Sequence, residues 1–207
     1  MKINTNYWNK LRYTLYTPVY DSVGKIFSSS RSKAISQLDI KVGERVLLVG
    51  AGTGLDLEFV PKGALVTATD LTPSMVEKIK KRNQKLNLNL EAMTMDGQNL
   101  AFADNYFDKI ILHLIIAVIP DPVACLREAE RVLKPGGKIS VFDKFVPTHR
   151  KISFRRKLLS PLANLLFSDI TRSFETIISK TGLRKLSDTV ANFKGNFRII
   201  LIEKPVI

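Results

Sequence analysis

A glycine-rich turn and two acidic residues are the groups in this sequence whose spacing most directly indicates chemistry. Residues 50–54 (GAGTG) follow a β-rich run, Asp70 ends the next such run and Asp96 ends the third. Glycines after a strand allow a tight turn whose backbone N–H groups face a ligand. A carboxylate at the following strand end can accept hydrogen bonds from both ribose hydroxyls, and Asp96 could accept one from an adenine amino group. Together the three strand ends predict a site for a nucleotide-like ligand.

The glycine spacing narrows the choice of ligand. A dinucleotide fingerprint requires its third glycine at position 55, where this chain has Leu55. The G-x-G-x-G pattern therefore suits a ligand without a pyrophosphate, and repulsion between Asp70 and a 2′-phosphate argues against NADP. No zinc, iron–sulfur or P-loop spacing occurs in the sequence, so no metal site is predicted.

Alternating strands and helices must position these groups. Strands are predicted at residues 45–49, 65–69, 90–95, 107–114 and 138–142, helices at 75–86 and 123–133, and a closing hairpin at 183–190 and 197–203. Thr72-Pro73 and Asp121-Pro122 each show an N-cap followed by a first-turn proline, and residues 134–137 (KPGG) are expected to form a C-cap and turn. A helix is also expected after the glycine-rich turn. This order favours an α/β fold with a mostly parallel sheet.

Composition and charge indicate one globular domain with basic flanks. The chain has 207 residues, 45% of them hydrophobic, a single cysteine and a net charge of +13. Residues 34–143 carry 13 basic and 14 acidic side chains, whereas residues 1–33 carry six basic and one acidic, and residues 144–168 six basic and none acidic. A neutral centre with basic flanks predicts contact with an anionic partner, either lipid head groups or nucleic acid.

Both basic flanks also contain aromatic or aliphatic side chains. Five aromatic residues occur at 7–20, interleaved with Lys10 and Arg12, and leucines and phenylalanines accompany the basic cluster at 145–168. This is the chemistry of interfacial membrane helices, although helices that merely cover the sheet would have a similar pattern. The predicted substrate or membrane contacts are Tyr7, Tyr13, Tyr16, Arg155 and Arg156.

No membrane-spanning segment or signal peptide is predicted. The longest apolar run, residues 110–119, is shorter than the ~20 residues that cross a bilayer, and the first ten residues lack the apolar core of a signal peptide. We therefore expect a cytoplasmic protein, peripheral on the inner face of the membrane. The oligomeric state is left open.

Over roughly residues 40–145 the sequence resembles the class I S-adenosylmethionine-dependent methyltransferases. The resemblance rests on VLLVGAGTGLDLEFV, TATDLTPSMVEK, MDGQNLAFADNYFDKIILHLIIAVIPDP and EAERVLKPGGKISVFDKF, which occur in order at appropriate spacing. It implies a Rossmann-like seven-stranded sheet, with strand seven antiparallel and helices on both faces, and S-adenosylmethionine as cofactor. It also implies that Gly50, Gly52 and Gly54 border the methionine portion, Asp70 the ribose, and Asp96 with Gly97 the adenine. The predicted cofactor-binding set is completed by Ala51, Leu71 and His113.

Within that family the chain is most similar to the bacterial phospholipid N-methyltransferases. The shared features are YTPVYDSVGKIF before the first strand, VIPDP after the fourth and a basic segment after the fifth. The segment VFDKF departs from the Asn-His pair of many phosphatidylethanolamine enzymes, and quinone-type methyltransferases share the YD segment and the LKPGG turn. The expected acceptor is a phospholipid amine head group. The alternatives are a soluble quinone, phenol or amine, an RNA, and a cofactor-binding protein without catalysis.

Nucleic-acid bases are the least favoured acceptors. The Asn-Pro-Pro-aromatic signature of base amino methyltransferases does not follow the fourth strand, where residues 112–115 read LHLI. The basic flanks are apolar rather than Gly/Ser/Arg-rich and contain no recognised RNA-binding module.

A dedicated catalytic base is not required for methyl transfer, because proximity and orientation can supply most of the barrier reduction. An amine acceptor must still lose a proton to water or to a nearby carboxylate or phenol. The predicted catalytic candidates near the strand ends are Tyr20, His113 and Asp143, with Asp21 also considered. Cys125 has no metal-ligand pattern and is expected to pack in the core.

One domain is expected, with four parts. These are a helical cap at residues 1–39, a cofactor-binding core at 40–145, a basic amphipathic insert at 146–178 and a closing hairpin at 179–207.

Overall fold

The computed structural model describes residues 4–16, 21, 24–146, 172–192 and 197–206. The strands are β1 (Arg45–Val49), β2 (Leu65–Asp70), β3 (Asn89–Thr94), β4 (Phe107–His113), β5 (Leu133–Lys144), β6 (Arg184–Asn192) and β7 (Phe197–Glu203). The α-helices are α1 (Asn6–Tyr16), α2 (Ser28–Ser36), α3 (Pro73–Leu86), α4 (Pro122–Val132) and α5 (Phe174–Ile178). Two 3-10 helices lie at Lys25–Phe27 and Leu55–Phe59.

The strands form one seven-stranded sheet in the order β3-β2-β1-β4-β5-β7-β6. Strands β1 to β5 pair in parallel, and β7 is antiparallel to both β5 and β6. The predicted Rossmann-like sheet with strand seven antiparallel is therefore confirmed. The strand order reverses between β1 and β4, and ligands of such sheets bind outside the carboxyl ends of the strands at that point.

Side chains of β4 alternate between two apolar layers, one on each face of the sheet. Ile110 and Leu112 pack in the layer that contains Leu126 of α4, whereas Ile111 packs in the layer that contains Ile79 of α3. A parallel strand covered on both faces is continuously apolar for this reason. The central strands therefore provide a rigid base for the residues that follow them.

Two helices begin where the sequence predicts. Thr72 precedes Pro73 at the start of α3, and the Asp121 side chain accepts the N–H groups of Val123 and Ala124 at the start of α4. Each start places the preceding residues at the carboxyl edge of the sheet.

Two local expectations were wrong. The predicted helix after the glycine-rich turn is only the short 3-10 helix Leu55–Phe59. The KPGG segment belongs to β5 rather than to a separate C-cap and turn: the N–H of Gly136 donates to Lys204 O at 2.7 Å, and the N–H of Lys204 donates to Gly137 O at 3.1 Å. The register between β4 and β5 shifts across this segment, and the φ of Gly136 is +75°, so the segment forms an irregular bulge within β5. Its pairing with the chain that follows β7 is an effect that a local turn pattern cannot predict. Among the described residues, no helix combines the length and apolarity needed to cross a bilayer.

Candidate active site

A cleft lies at the carboxyl edge of the sheet, and its empty space, counted together with the solvent at its mouth, is about 630 Å³. The segments that follow β1, β2, β3 and β4 all line it, and α1 contributes one wall. The three strand ends on which the nucleotide prediction depended therefore meet at one cavity.

Asp70 connects the glycine-rich turn to the start of α3. Its Oδ2 accepts the N–H of Gly52 at 2.8 Å, and its Oδ1 accepts the N–H of Thr72 at 2.9 Å. Burial raises the pKa of this carboxyl even though both N–H groups favour the charged form. The Thr72 side chain also hydrogen-bonds this carboxyl, and the lone pairs that remain on its oxygens can accept ligand hydroxyls.

Gly50 allows the chain to turn beneath the cavity. Its φ is +64°, and a Cβ at this position would lie 2.5 Å from Cδ1 of Ile115, another lining residue. Any side chain at position 50 would therefore move the wall that follows β4.

Asp96 also lines the cavity, but groups of the protein already occupy its oxygens. Oδ2 accepts the Asn6 amide at 2.6 Å, Oδ1 accepts the N–H of Gln98 at 2.9 Å, and Gln98 Nε2 lies within 3.1 Å of both oxygens. An adenine amino group would have to share Oδ2 with Asn6 or displace it.

The asparagines in the wall formed by α1 were missed in the sequence, whereas Tyr13 is one of the predicted substrate or membrane contacts. Asn6, Asn9 and Tyr13 line the cavity on one face of the helix. Asn4 and Asn9 donate their amides to Val118 O at 2.8 and 3.2 Å, which attaches the helix to the segment after β4. Asparagines spaced three residues apart were the available signal, but nothing in the sequence indicates their partners.

Asp21 lies against the back of the glycine-rich turn. Thr53 Oγ1 donates to Asp21 Oδ1, Arg82 Nη2 donates to Asp21 Oδ2 at 2.7 Å, and Arg82 Nε donates to Thr53 O at 2.9 Å. The predicted catalytic residue next to it, Tyr20, lies outside the described residues.

His113 is not among the residues that line the cavity. Its ring is buried, with Nδ1 2.6 Å from Asp56 Oδ1 and Nε2 3.0 Å from Ser140 Oγ. Because both ring nitrogens are already engaged in the interior, we no longer assign His113 a direct catalytic or cofactor contact. The expectation failed because the His113 side chain points into the interior, toward Asp56 and Ser140, and the sequence does not reveal these partners.

Asp143 is likewise buried away from the cavity lining. Its Oδ2 accepts the N–H of Ala117 at 2.9 Å, and its Oδ1 accepts the N–H of Lys144 at 2.8 Å. Burial raises the pKa of this carboxyl despite those bonds. Asp143 therefore supports the segment after β4, and we no longer assign it a catalytic role.

The remaining predicted residues divide into three groups. Gly97 and Leu71 line the cavity with Gly50 and Gly52, whereas Ala51 and Gly54 are not part of its lining. Tyr7 is 80% exposed on α1. The side chain of Tyr16 and all of Arg155 and Arg156 lie outside the described residues. Cys125 is buried beneath the site, and burial raises the pKa of its thiol to about 12, as core packing requires.

The cavity suits S-adenosylmethionine. Asp70 offers an acceptor to each of two ribose hydroxyls, the Gly50–Gly52 backbone admits a ligand at close range, and Met75 and Met95 provide an apolar lining. When bound, the cofactor supplies an electrophilic sulfonium methyl group. The protein's part is to orient it and to exclude water from the reacting atoms.

Comparison with known proteins agrees with this fit. The family described as a methyltransferase domain matches residues 47–141. The phosphatidylethanolamine N-methyltransferase of Cereibacter sphaeroides is 26% identical over 189 residues, which cover 90% of this chain and 93% of that protein. The demethylmenaquinone methyltransferase of Corynebacterium kroppenstedtii is 34% identical over 142 residues, covering 62% of this chain and 59% of that protein.

A solved S-adenosylmethionine-dependent methyltransferase from Methanosarcina mazei has the same fold. It superposes with a TM-score of 0.68 at 20% identity over 84% of this chain and 97% of that chain. Fold and cavity thus define a class I methyltransferase architecture. The chain contains a methyltransferase domain at residues 47–141, and S-adenosylmethionine is its cofactor.

Substituting Gly50 should weaken cofactor binding. In Gly50→Ala, strain at positive φ of about 1–2 kcal/mol is combined with the contact to Ile115, and we expect S-adenosylmethionine to bind at least tenfold more weakly in calorimetry. Gly43→Ala is the matched control, because its φ is +83° but nothing lies within 4 Å of the added Cβ. Equal affinities in the two variants would contradict the assignment of Gly50.

Cofactor affinity should depend on the charge of Asp70. Ribose hydroxyls donate to the ionised carboxyl, so affinity should weaken as pH falls through the raised pKa of Asp70. Asp70→Asn should cost about 1.5–3 kcal/mol for a charged hydrogen bond, roughly ten- to hundredfold in affinity. It should also abolish the loss of affinity at low pH, which we call the acid limb. Calorimetry at a series of pH values measures both effects. A variant that keeps the wild-type acid limb would exclude Asp70 as its source.

Proposed function

We propose that the enzyme N-methylates the amine head group of a phospholipid at a membrane surface, peripheral on its inner face. The observation that carries this proposal is the two-sided character of α1. One face, with Asn6, Asn9 and Tyr13, lines the cofactor cavity. The opposite face presents Tyr7 and Leu11 to solvent, 80% and 45% exposed.

The outward face of α1 has the chemistry of an interfacial helix. Tyr7, Lys10, Leu11 and Thr14 are exposed and recur at helical spacing. Aromatic and aliphatic groups can enter the region between head groups and acyl chains, while Lys10 contacts phosphate. Because the same helix closes the cavity, a bilayer bound to this face would present its head groups beside the cofactor.

The ends of the basic insert are anchored beside the same cavity. The N–H of Val146 donates to Arg172 O at 2.9 Å, and the Arg172 guanidinium donates to Ile116 O, in the segment whose neighbours Ile115 and Val118 line the cavity. Between these ends, residues 147–171 carry five basic side chains and one acidic side chain. We propose that Arg155 and Arg156 in this segment bind lipid phosphate.

The wall after β4 suits an amphipathic acceptor. Leu114, Ile115, Val118 and Ile119 give this side of the cavity an apolar surface, and Tyr13 contributes a phenol. We assign Tyr13 to orienting the acceptor amine. His113 and Asp143 are held by interior partners and do not reach the amine. Water therefore takes the proton that the amine loses.

The relatives support two acceptor classes. The match to the phosphatidylethanolamine enzyme covers 90% of this chain and 93% of that protein, and therefore favours a phospholipid. The match to the demethylmenaquinone enzyme is higher in identity but covers 59% of that protein. A soluble quinone or phenol is the second candidate, since the apolar wall would also accept an aromatic ring.

The decisive assay is methyl transfer from labelled S-adenosylmethionine to liposomes containing phosphatidylethanolamine, with products resolved by mass. Mono-, di- or trimethylated lipid is expected, with little transfer to a water-soluble phenol or quinone tested in parallel. Transfer to the soluble acceptor alone would overturn the phospholipid proposal and leave the methyltransferase assignment intact.

The outward face of α1 should be needed for membrane binding only. In a Tyr7→Ser/Leu11→Ser variant we expect sedimentation with anionic liposomes to fall at least fivefold while cofactor affinity stays at the wild-type value. Val42→Ser is the control, because Val42 is 82% exposed but precedes β1, at the opposite edge of the sheet. Unchanged sedimentation of the double variant would refute this role for α1.

A further inference from the structure

Three polar side chains form a cluster behind the glycine-rich turn. Thr53 Oγ1 donates to Asp21 Oδ1, Arg82 Nε donates to Thr53 O at 2.9 Å, and Arg82 Nη2 donates to Asp21 Oδ2 at 2.7 Å. Each of the three residues therefore contacts the other two. None of them lines the cavity, so the cluster supports the turn from outside the ligand site.

The Arg82 guanidinium contacts three segments of the chain at once. Its Nε binds the turn, its Nη2 binds Asp21, and its Nη1 donates to Glu58 of the 3-10 helix after the turn. Only 17% of the Arg82 side chain is exposed. A planar guanidinium holds several acceptors in fixed directions, which the ammonium group of a lysine does not do. The shape of this side chain therefore matters as well as its charge.

Thr53 is the one residue of the glycine-rich turn with a polar side chain, since residues 50–54 read GAGTG. It is 1% exposed, so its hydroxyl and its carbonyl need partners within the protein. Asp21 and Arg82 provide those partners. Glycines contribute no side-chain contacts that would restrict the turn, so its conformation depends strongly on the bonds made at Thr53.

The turn is held from two directions, and α3 takes part in both. Asp70 accepts the N–H of Gly52 and also that of Thr72, at the start of α3. Arg82, further along the same helix, binds the carbonyl of Thr53. A site that is fixed before the ligand arrives requires less ordering on binding, which raises its affinity. We therefore expect the bonds at Thr53 to affect cofactor binding.

The cluster also attaches a part of the chain that precedes the sheet. Asp21 lies between α1 and α2 in the sequence. Gly24 approaches the same region, because a Cβ at this position would overlap Cδ1 of Leu55, the residue directly after the turn. The N-terminal region therefore contacts both Thr53 and Leu55.

We propose that Asp21, Thr53 and Arg82 hold the glycine-rich turn in its cofactor-binding conformation, so that a residue of the N-terminal region contributes to cofactor affinity. All three are positioning residues, since they act on the cofactor through the turn. The inference concerns cofactor binding alone and does not depend on which acceptor is methylated.

A matched pair of substitutions at Thr53 tests whether its hydroxyl group matters. Thr53→Val keeps the shape of the side chain but removes the donor to Asp21, whereas Thr53→Ser keeps the donor and removes a methyl group. In calorimetry we expect S-adenosylhomocysteine to bind about tenfold more weakly to Thr53→Val, and within about twofold of the wild-type affinity to Thr53→Ser. A Thr53→Val variant that binds as tightly as Thr53→Ser, or more tightly, would overturn the proposal, since packing alone would favour valine.

Hydrogen exchange of the protein without cofactor separates positioning of the turn from a general loss of stability. In Thr53→Val we expect peptides spanning residues 50–57 to exchange faster than in Thr53→Ser. Peptides of α4, which packs on the opposite face of the sheet, should exchange at the wild-type rate. Weaker binding with faster exchange throughout the protein, or with no change in the turn, would refute the role of the cluster.

A double-mutant cycle tests the part played by Asp21. Asp21→Asn can still accept the Thr53 hydroxyl but loses the charged pair with Arg82, and Arg82→Lys keeps the charge but loses the planar guanidinium. We expect S-adenosylhomocysteine to bind about fivefold more weakly to Asp21→Asn and about tenfold more weakly to Arg82→Lys. The double variant should match Arg82→Lys, because effects within one hydrogen-bonded network are not additive.

Glu58→Gln is the matched control for this cycle, because it changes another carboxyl bound to the same guanidinium and leaves Asp21 and Thr53 in place. Its affinity for S-adenosylhomocysteine should stay within about twofold of the wild-type value, since the exposed pair that it alters contributes little. If Asp21→Asn binds as tightly as Glu58→Gln, or if the losses of the single variants multiply in the double variant, Asp21 does not act with Arg82 on the turn and the proposal is contradicted.

Discussion

The site depends on the carboxylate of Asp70, which accepts hydrogen bonds from two backbone segments at the carboxyl edge of the sheet. Asp70 accepts the N–H of Gly52 and that of Thr72, so the glycine-rich turn and the start of α3 share a single acceptor. Next to it, the N–H of Ala51 donates to Thr69 O at 2.9 Å. These bonds fix the turn before any ligand arrives, which reduces the ordering that binding requires.

The sequence was sufficient where local patterns determine structure. The continuous apolar run of β4 and the Asp121-Pro122 cap predicted the strands and helices that bring Asp70 and Asp96 to one edge. It was insufficient where partners come from distant elements. Asn6 lies 90 residues from Asp96 in the chain, and no periodicity encodes that contact. His113 was expected in the cleft because its position near a strand end is visible in the sequence, whereas its buried partners are not.

The cavity is bounded by α1 on one side and by the segments that follow the strands on the other. The two sides are held in place by different kinds of polar contact. The α1 wall is attached through side-chain amides, such as that of Asn4 to Val118 O, while its outer face is exposed to solvent. The sheet-side walls are fixed from behind by buried polar groups: Asp56 pairs with Arg31, and its Oδ1 lies 2.6 Å from Nδ1 of His113. Breaking a buried pair costs more than breaking an exposed one. The acceptor side can therefore open more readily than the cofactor side.

The most direct test of this account is a crystal structure of the enzyme with S-adenosylhomocysteine. We expect the ribose hydroxyls on the two oxygens of Asp70, the adenine beside Asp96 and Gly97, and the sulfur facing the space between Tyr13 and the apolar wall after β4. A ligand whose ribose makes no contact with Asp70, or whose sulfur faces away from α1, would contradict the account.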